Sequence, residues 1–167
     1  MKVATLIAAA IIWSIPAVAV DQGDVAPKWQ AITLQGECVS YPELAEGKPT
    51  VIIFWATWCP YCKAFMPYLK KIHEDYGADR IAIIAVNAKD EDGDKDAYVK
   101  ELGFPVTAIR DGDDIAADYG VRFIPGLMVM DGNGTVFYRR RSTELPAGQT
   151  IAQLWSDQVR AALDQLL

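Results

Sequence analysis

Two cysteines, Cys59 and Cys62, are the residues whose type and spacing best suit chemistry. They lie in the run Thr57–Cys62, which directly follows the apolar stretch Val51–Ala56. Pro60 favours a helix start, because its ring fixes φ and its missing N–H would have no intrahelical partner there. The spacing therefore predicts Cys59 at a helix N-cap and Cys62 one turn inside, within disulfide reach. A helix N-terminus favours a thiolate, so we expect an exposed, reactive Cys59 and redox chemistry.

A structural disulfide or half of a zinc site is the alternative interpretation of this pair. A tetrahedral zinc site needs four ligands, and only Cys38 and His73 remain to complete it. His73 lies eleven residues beyond Cys62 on the same predicted helix, roughly 16 Å along its axis. It therefore cannot join the pair, either as a metal ligand or as the base of a cysteine hydrolase. We expect His73 to be solvated on its helix.

Cys38 makes the cysteine count odd, at three. It is predicted on the first hairpin, away from the other two cysteines, and we expect a passive thiol there. The open alternative is a disulfide to a partner or to a second Cys38.

A strand, a helix and a second strand position the cysteine pair. Thr50–Ala56 is apolar on both faces, as expected for a parallel strand covered by helices on both sides. The helix is predicted from Pro60 to Tyr76, with a kink at Pro67 and a stop at Gly77. Arg80–Asn87 follows as the second core strand, so the order is that of a βαβ unit.

The other predicted elements are short, with no repeats and no internal domain boundary. They are strands at Trp29–Leu34, Cys38–Ser40, Val106–Ile109, Leu127–Met130 and Thr135–Arg139, and helices ending at Leu102, spanning Ile115–Tyr119, and covering Ile151 to Leu166.

The first residues of the chain predict a secretory signal peptide. Met1-Lys2 is basic, Val3–Ile15 is apolar, and the run ends in Ala17-Val18-Ala19. We expect cleavage after residue 19, with an uncleaved membrane anchor as the alternative. Export implies an oxidising compartment, most simply a bacterial periplasm.

The amino-acid composition limits the classes of molecule that this protein is expected to bind. The chain has 167 residues, 51% of them hydrophobic, which fits one folded domain and excludes global disorder. Its net charge of −6 becomes −7 when Lys2 is removed with the signal peptide. An acidic body without a basic cluster argues against nucleic acid and against anionic lipid surfaces.

Three segments together resemble the thioredoxin superfamily, and within it the exported TlpA/ResA-like proteins. They are Phe54–Cys62, Pro67 and Gly120–Pro125, the last of which precedes a predicted hairpin. The resemblance covers about residues 26–166. It implies a thioredoxin fold, an α/β domain whose mixed sheet has helices on both faces, with an N-terminal hairpin and a helix–strand insert.

The resemblance also implies roles for individual residues. Cys59 corresponds to the attacking thiol and Cys62 to the resolving thiol. Pro125 corresponds to a cis-proline that faces the disulfide, which exposes the backbone of Ile124 to pair with an extended substrate. The sequence is similar to proteins that exchange disulfides with protein substrates and are re-reduced by a membrane electron-transfer protein.

Trp58, Pro60 and Tyr61 surround the two cysteines. We expect Trp58 and Tyr61 to form an apolar rim that docks a partner, since they flank the reactive position. The Pro60-Tyr61 dipeptide resembles that of glutaredoxins, whose reduction potentials are about −200 to −230 mV, against about −270 mV for thioredoxin. The direction of electron flow is therefore left open.

Two positions depart from the family pattern. Thioredoxins carry a buried acid at the position of Ile53, and ResA-like proteins carry a glutamate at the position of Phe65. Both residues are apolar here. The group that removes the proton from Cys62 is therefore unassigned.

The function that follows is thiol–disulfide exchange in the periplasm, reducing protein disulfides of the cytochrome c maturation or copper-site assembly type. We expect a monomer with no cofactor beyond a redox-active Cys59–Cys62 disulfide, and no metal. The alternatives are an oxidant of the same fold and a metallochaperone that holds Cu(I) on the two cysteines. Met128 and Met130 alternate on a strand, which fits core packing better than copper ligation.

The acidic run that begins at Asp90 superficially matches a calcium loop. Asp90, Asp92, Asp94 and Glu101 fall at loop positions one, three, five and twelve. Position six is Lys95, however, where such a loop needs glycine. We therefore predict an exposed loop whose acids favour the following helix N-terminus.

Overall fold

In a computed structural model, residues 19–141 and 144–167 are described. The predicted signal peptide lies outside them, except for its last residue. The strands are β1 (Trp29–Ile32), β2 (Cys38–Tyr41), β3 (Thr50–Trp55), β4 (Ala82–Asn87), β5 (Thr107–Ile109), β6 (Gly126–Met130) and β7 (Val136–Arg139). The helices are α1 (Pro60–Tyr76), α2 (Lys95–Leu102), α3 (Asp113–Asp118) and α4 (Ile151–Leu166), with a 3₁₀ turn at Glu43–Ala45. The predicted strand ends differ from these by at most two residues.

The main sheet is mixed, with the strand order β5-β4-β3-β6-β7. β3 runs parallel to β4, where Phe54 pairs with Val86, and antiparallel to β6, where Phe54 pairs with Gly126. The carboxyl ends of β3 and β4 and the amino end of β6 therefore meet at one edge of the sheet. The cysteine motif follows β3 and Pro125 precedes β6, so this topology brings two segments distant in sequence together.

Two cores form because successive side chains of a strand point to opposite faces of the sheet. On one face Val51, Ile53 and Trp55 of β3 pack in a cluster with α1 and α4. On the other face Ile52 and Phe54 pack in a second cluster with α3 and the β1–β2 hairpin. All six residues of β3 are buried and five of them are apolar, as expected for a strand covered on both faces. Helices on both faces and a separate hairpin confirm the predicted fold class.

Two peptide bonds are cis, Tyr41–Pro42 and Ile124–Pro125. The second confirms the cis bond that the family resemblance predicts, and the first had no signal in the sequence. α1 runs on through Pro67 and ends at Gly77. Within the described ranges, no helix has the length and apolarity to cross a membrane.

Candidate active site

Cys59 and Cys62 form a disulfide at the start of α1, with their Cα atoms 5.3 Å apart. Cys59 is the N-cap, and its Sγ accepts a hydrogen bond of 3.1 Å from the backbone N–H of Cys62. Pro60 occupies the first helical position, where its missing N–H leaves no helical hydrogen bond unmade. The local prediction for this segment is therefore confirmed. A helix N-terminus and a direct N–H donor both favour negative charge on the Cys59 sulfur.

The expected exposure of Cys59 is wrong for the disulfide form. Cys59 is 2% exposed and Cys62 is fully buried. Both pack into the apolar cluster between the sheet, α1 and α4. The residues on either side take the solvent positions instead, since Trp58 is 59% and Tyr61 57% exposed. The exposed surface next to the disulfide is therefore aromatic.

The surroundings of Cys62 are apolar. Ile53 and Phe65, at the positions where related proteins carry acids, are both fully buried in the same cluster as Cys62. Among the described residues Asp90 is the only buried acid, and its carboxylate accepts hydrogen bonds from Thr57 and Asn87. Apolar burial disfavours a charged thiolate, so the two cysteines have different environments: a hydrogen-bonded helix cap for Cys59 and a hydrocarbon interior for Cys62.

The site has two walls: the cysteine segment Thr57–Cys62 forms one, and Ile124 and Pro125 form the other. Ile124 makes no backbone hydrogen bond to any other described residue. Its neighbour Phe123 is 79% exposed. Tyr61, between the cysteines, lines the same cavity as Ile124 and Pro125. The predicted convergence of the cysteine motif and the Pro125 segment is thus observed, and the backbone N–H and C=O of Ile124 are unpaired within the described chain.

Lys89 links the two walls, a role that the sequence analysis missed. Its carbonyl oxygen accepts a hydrogen bond of 2.6 Å from the indole N–H of Trp58, while its ammonium donates one of 2.7 Å to the carbonyl of Arg122. Its own N–H donates to Asp113 Oδ1 at 2.8 Å. The residue has a left-handed φ of 59°, which turns the chain directly after β4. The loop after β4 therefore joins the cysteine segment to the segment before β6.

Asp90 is buried beside the cysteine segment and not, as predicted, exposed. It is 6% exposed, and it accepts hydrogen bonds from the N–H of Thr57 at 2.7 Å, from the Thr57 hydroxyl at 2.8 Å and from the Asn87 amide at 2.9 Å. Burial alone would raise the pKa of Asp90, but the hydrogen bonds from Asn87 and Thr57 outweigh it and the pKa is lowered. Asp90 therefore holds the loop that leads into Cys59 as an ionised anchor.

The other acids of the run, Glu91, Asp92, Asp94 and Asp96, are exposed as predicted. Asp94 caps α2, accepting a hydrogen bond of 3.0 Å from the N–H of Ala97. Within the described ranges, no three histidine, cysteine or acidic side chains are grouped in a way that could hold a metal ion.

The remaining candidate residues lie away from the disulfide. Cys38 is exposed on β2, in the hairpin that packs on the face of the sheet opposite α1, and it is not in a disulfide. His73 was expected to be solvated but is half-buried, with its ring 5.6 Å from that of Phe104. Met128 and Met130 are buried in the second core, on the sheet face away from the cysteines.

A C-x-x-C disulfide that starts a helix, beside a cis-proline on a mixed five-stranded sheet, defines the class of thioredoxin-fold thiol–disulfide oxidoreductases. The chain belongs to the AhpC/TSA family, whose model matches residues 22–139. It is 32% identical over 142 residues to the thiol:disulfide interchange protein DsbE of Escherichia coli strain K12, which covers 83% of this chain and 71% of that protein.

Other relatives agree with this assignment. The thiol-disulfide oxidoreductase ResA of Halalkalibacterium halodurans is 32% identical over 116 residues, covering 68% of this chain and 65% of that protein. The crystal structure of a secreted Mycobacterium tuberculosis disulfide oxidoreductase homologous to E. coli DsbE matches with a TM-score of 0.63 and 23% identity, over 83% of this chain and 96% of that one. The last match supports the fold alone.

Proposed function

We propose that this enzyme reduces disulfides in exported proteins, with Cys59 as the attacking thiol and Cys62 as the resolving thiol. The observation that carries the assignment is the hydrogen bond from the Cys62 N–H to Cys59 Sγ, at the N-terminus of α1. It favours a thiolate on Cys59, whereas Cys62 is fully buried in the apolar core, which disfavours a charged sulfur. The first of the two sulfurs is thus the better nucleophile.

The exchange passes two electrons in two steps. The Cys59 thiolate attacks one sulfur of a substrate disulfide, the substrate S–S bond breaks, and the departing substrate thiolate takes up a proton. Cys62 then loses its proton and attacks Cys59 Sγ, which forms the Cys59–Cys62 disulfide. The second substrate thiolate leaves and is protonated. The substrate has gained two electrons and two protons, and the enzyme must be re-reduced by a dithiol of equal capacity.

The substrate binds as an extended segment along Ile124. The free backbone groups of this residue supply strand-like hydrogen bonds that hold the mixed disulfide in line. Trp58 and Tyr61 give an exposed aromatic rim on the side of the cysteines, and Pro60 and Pro125 shape the backbone on either side. Side chains at these positions recognise the substrate and carry no redox chemistry themselves.

The location that we propose for this exchange is the periplasm. The support is the basic, apolar and small-residue pattern of residues 1–19. We further propose that a monomer acts on proteins of cytochrome c or copper-site assembly, and that a membrane electron-transfer protein re-reduces it.

N-terminal sequencing of the exported protein tests the cleavage of the signal peptide. The sequence is expected to start at Val20, and retention of Met1 in the exported protein contradicts cleavage.

Reduction of insulin disulfides by the dithiothreitol-reduced enzyme tests the proposed roles. Cys59→Ser is expected to abolish the reaction, because it removes the nucleophile. Cys62→Ser is expected to accumulate a mixed disulfide with substrate, because it cannot resolve it. Cys38→Ser is the matched control and retains full activity, since Cys38 lies on a separate hairpin. Full activity of Cys59→Ser, or trapping through Cys38, would contradict the assignment.

The direction of exchange is tested by the reduction potential of the Cys59–Cys62 couple, measured by equilibration with glutathione. A value at or below about −250 mV is expected for a reductant of the thioredoxin type. A value above about −150 mV would place the couple near the strong oxidant DsbA and would reverse the proposed direction.

A further inference from the structure

A groove of about 500 Å³ lies beside the cysteine segment, and several large hydrophobic side chains line it. Tyr61, Phe123 and Leu145 line it, with exposed fractions of 57%, 79% and 49%. These are three of the seven large hydrophobic side chains that the described chain exposes. We call this feature the cis-proline groove, because Ile124 and Pro125 form one side of it.

Arg140 places a positive charge in the wall of the cis-proline groove. Its guanidinium lies 4.9 Å from the centre of the Trp155 ring, and the side chain is half-buried. Its Nε is buried without a hydrogen-bond partner in the described parts of the chain, as is the indole N–H of Trp155. A buried donor without an acceptor is costly, so Arg140 favours a partner that brings an acceptor to its guanidinium.

No carboxylate of this chain serves as that acceptor. Among the described residues Arg140 is in no ion pair. The remaining residues of the chain, 1–18, 142 and 143, include no Asp or Glu. A guanidinium stays protonated even where burial lowers its pKa, as burial does for Arg140. The charge therefore remains available to a carboxylate brought by another molecule.

The two neighbouring arginines behave differently. Arg139 donates hydrogen bonds to the carbonyls of Val20, Tyr119 and Gly120. Arg141 also lines the cis-proline groove but pairs with Asp21 through contacts of 2.6 and 2.8 Å. Of these three consecutive cations, only Arg140 lacks an oxygen partner within the described residues.

We propose that the cis-proline groove selects substrate segments that carry an aspartate or glutamate within a few residues of their reactive cysteine. The substrate carboxylate pairs with the guanidinium of Arg140, while apolar substrate atoms cover Tyr61 and Phe123. Because the whole chain has a net charge of −6, long-range attraction does not favour an acidic partner. Recognition comes from the contact itself, which is screened less by salt than an exposed pair. This inference rests on the proposed disulfide exchange and adds a substrate class to it.

Three disulfide-bonded peptides of the same length test this inference. They differ only at one position two residues from the cysteine, which is Glu, Gln or Lys. We measure kcat/KM for each with the full-length reduced enzyme in 0.15 M salt. The wild type is expected to prefer the Glu peptide over the Lys peptide by on the order of tenfold, the effect of one hydrogen bond to a charged group. The readout is a ratio, so a general change in activity cancels.

Arg140→Gln is expected to reduce the Glu/Lys ratio to about one. Arg80→Gln removes an equal charge at an exposed position between α1 and β4, and it is expected to leave both turnover and the ratio as in the wild type. Equal turnover of all three peptides by the wild type overturns the inference and leaves the exchange intact. A Glu preference that survives in Arg140→Gln also overturns it. Failure to turn over any peptide contradicts the proposed function itself.

Discussion

Removing the carboxylate of Asp90 is expected to loosen the segment that leads into Cys59. The charge is buried, and it accepts three hydrogen bonds, two of them from Thr57. A side chain on Gly93 would overlap both Asp90 and Thr57, so the space around the carboxylate is filled. The substitutions Asp90→Asn and Asp90→Ala remove first the charge and then all of the acceptor oxygens.

The two variants have different expected costs. The lowered pKa of Asp90 means that the fold favours its charged form, so the neutral Asp90→Asn is expected to lower the free energy of unfolding by about 1–2 kcal/mol. Asp90→Ala leaves the N–H and the hydroxyl of Thr57 without their acceptor, and it leaves the Asn87 amide only its 3.4 Å hydrogen bond to the Trp55 carbonyl. Unpaired buried donors cost about 1–3 kcal/mol each. We therefore expect a loss of about 3 kcal/mol for Asp90→Ala.

Urea unfolding of the oxidised protein at pH 7 measures these costs. Asp92→Asn is the matched control, because Asp92 is exposed in the same loop, and it is expected to change stability by less than about 0.5 kcal/mol. A Thr57→Val variant and its double variant with Asp90→Asn give the coupling energy of the two side chains, expected between about 0.5 and 3 kcal/mol. Equal stabilities for the Asp90→Asn and Asp92→Asn variants would refute the anchor role.

The stabilisation of the fold by Asp90 is also expected to depend on pH. Its folded pKa is below its unfolded pKa, so its contribution is fully present above the unfolded value and is lost as pH falls through the folded value. The stability difference between wild type and Asp90→Asn is therefore expected to narrow as the pH falls below about 4. A difference that widens on acidification would mean that the carboxyl is neutral in the native state.

Three further substitutions test the packing around the site by urea unfolding. Gly126→Ala places a Cβ 2.7 Å from Val121 Cγ1 and 3.2 Å from Phe54 Cδ2, so we expect a loss of about 1–3 kcal/mol, and an unchanged stability would contradict this close approach. Tyr98→Phe removes a buried hydroxyl that has no partner in the described chain, and the stability is expected to stay within about 0.5 kcal/mol or to rise. Leu163 of α4 is fully buried, so Leu163→Ala opens a cavity and is expected to lower the free energy of unfolding by about 2–5 kcal/mol. A smaller loss would mean that the neighbouring helices move in to fill the space.

Local signals predicted the centre of the site because they act over a few residues. A six-residue apolar strand, Pro60 at a helix start and Gly77 at its end fix β3, α1 and the position of both cysteines. The family resemblance supplied the cis bond before Pro125, which no local pattern of this chain specifies. These parts of the site were therefore predictable from the sequence.

Asp90 and Arg140 could not be placed from local pattern, because their surroundings are made by distant residues. Asp90 meets Thr57, 33 positions earlier, since parallel strands bring the carboxyl ends of β3 and β4 to one edge. The rule that parallel strands end at the same edge could have been applied to the sequence alone. It would have placed Asp90, three residues after the end of β4, close to Thr57. Arg140 meets Trp155 on α4, a contact that depends on how the last helix packs and not on spacing in the chain.

The hydrogen bonds of Lys89 have a consequence for how this enzyme is tuned. One residue outside both motifs holds Trp58 on one wall and Arg122 on the other. The separation of the two walls is therefore set before a substrate arrives, so little conformational freedom is lost when one binds. Changes in the loop after β4 can therefore alter which substrate proteins bind. The length and turn of this loop set the distance between the cysteine segment and the segment before β6, whereas the two cysteines and their electron transfer stay unchanged.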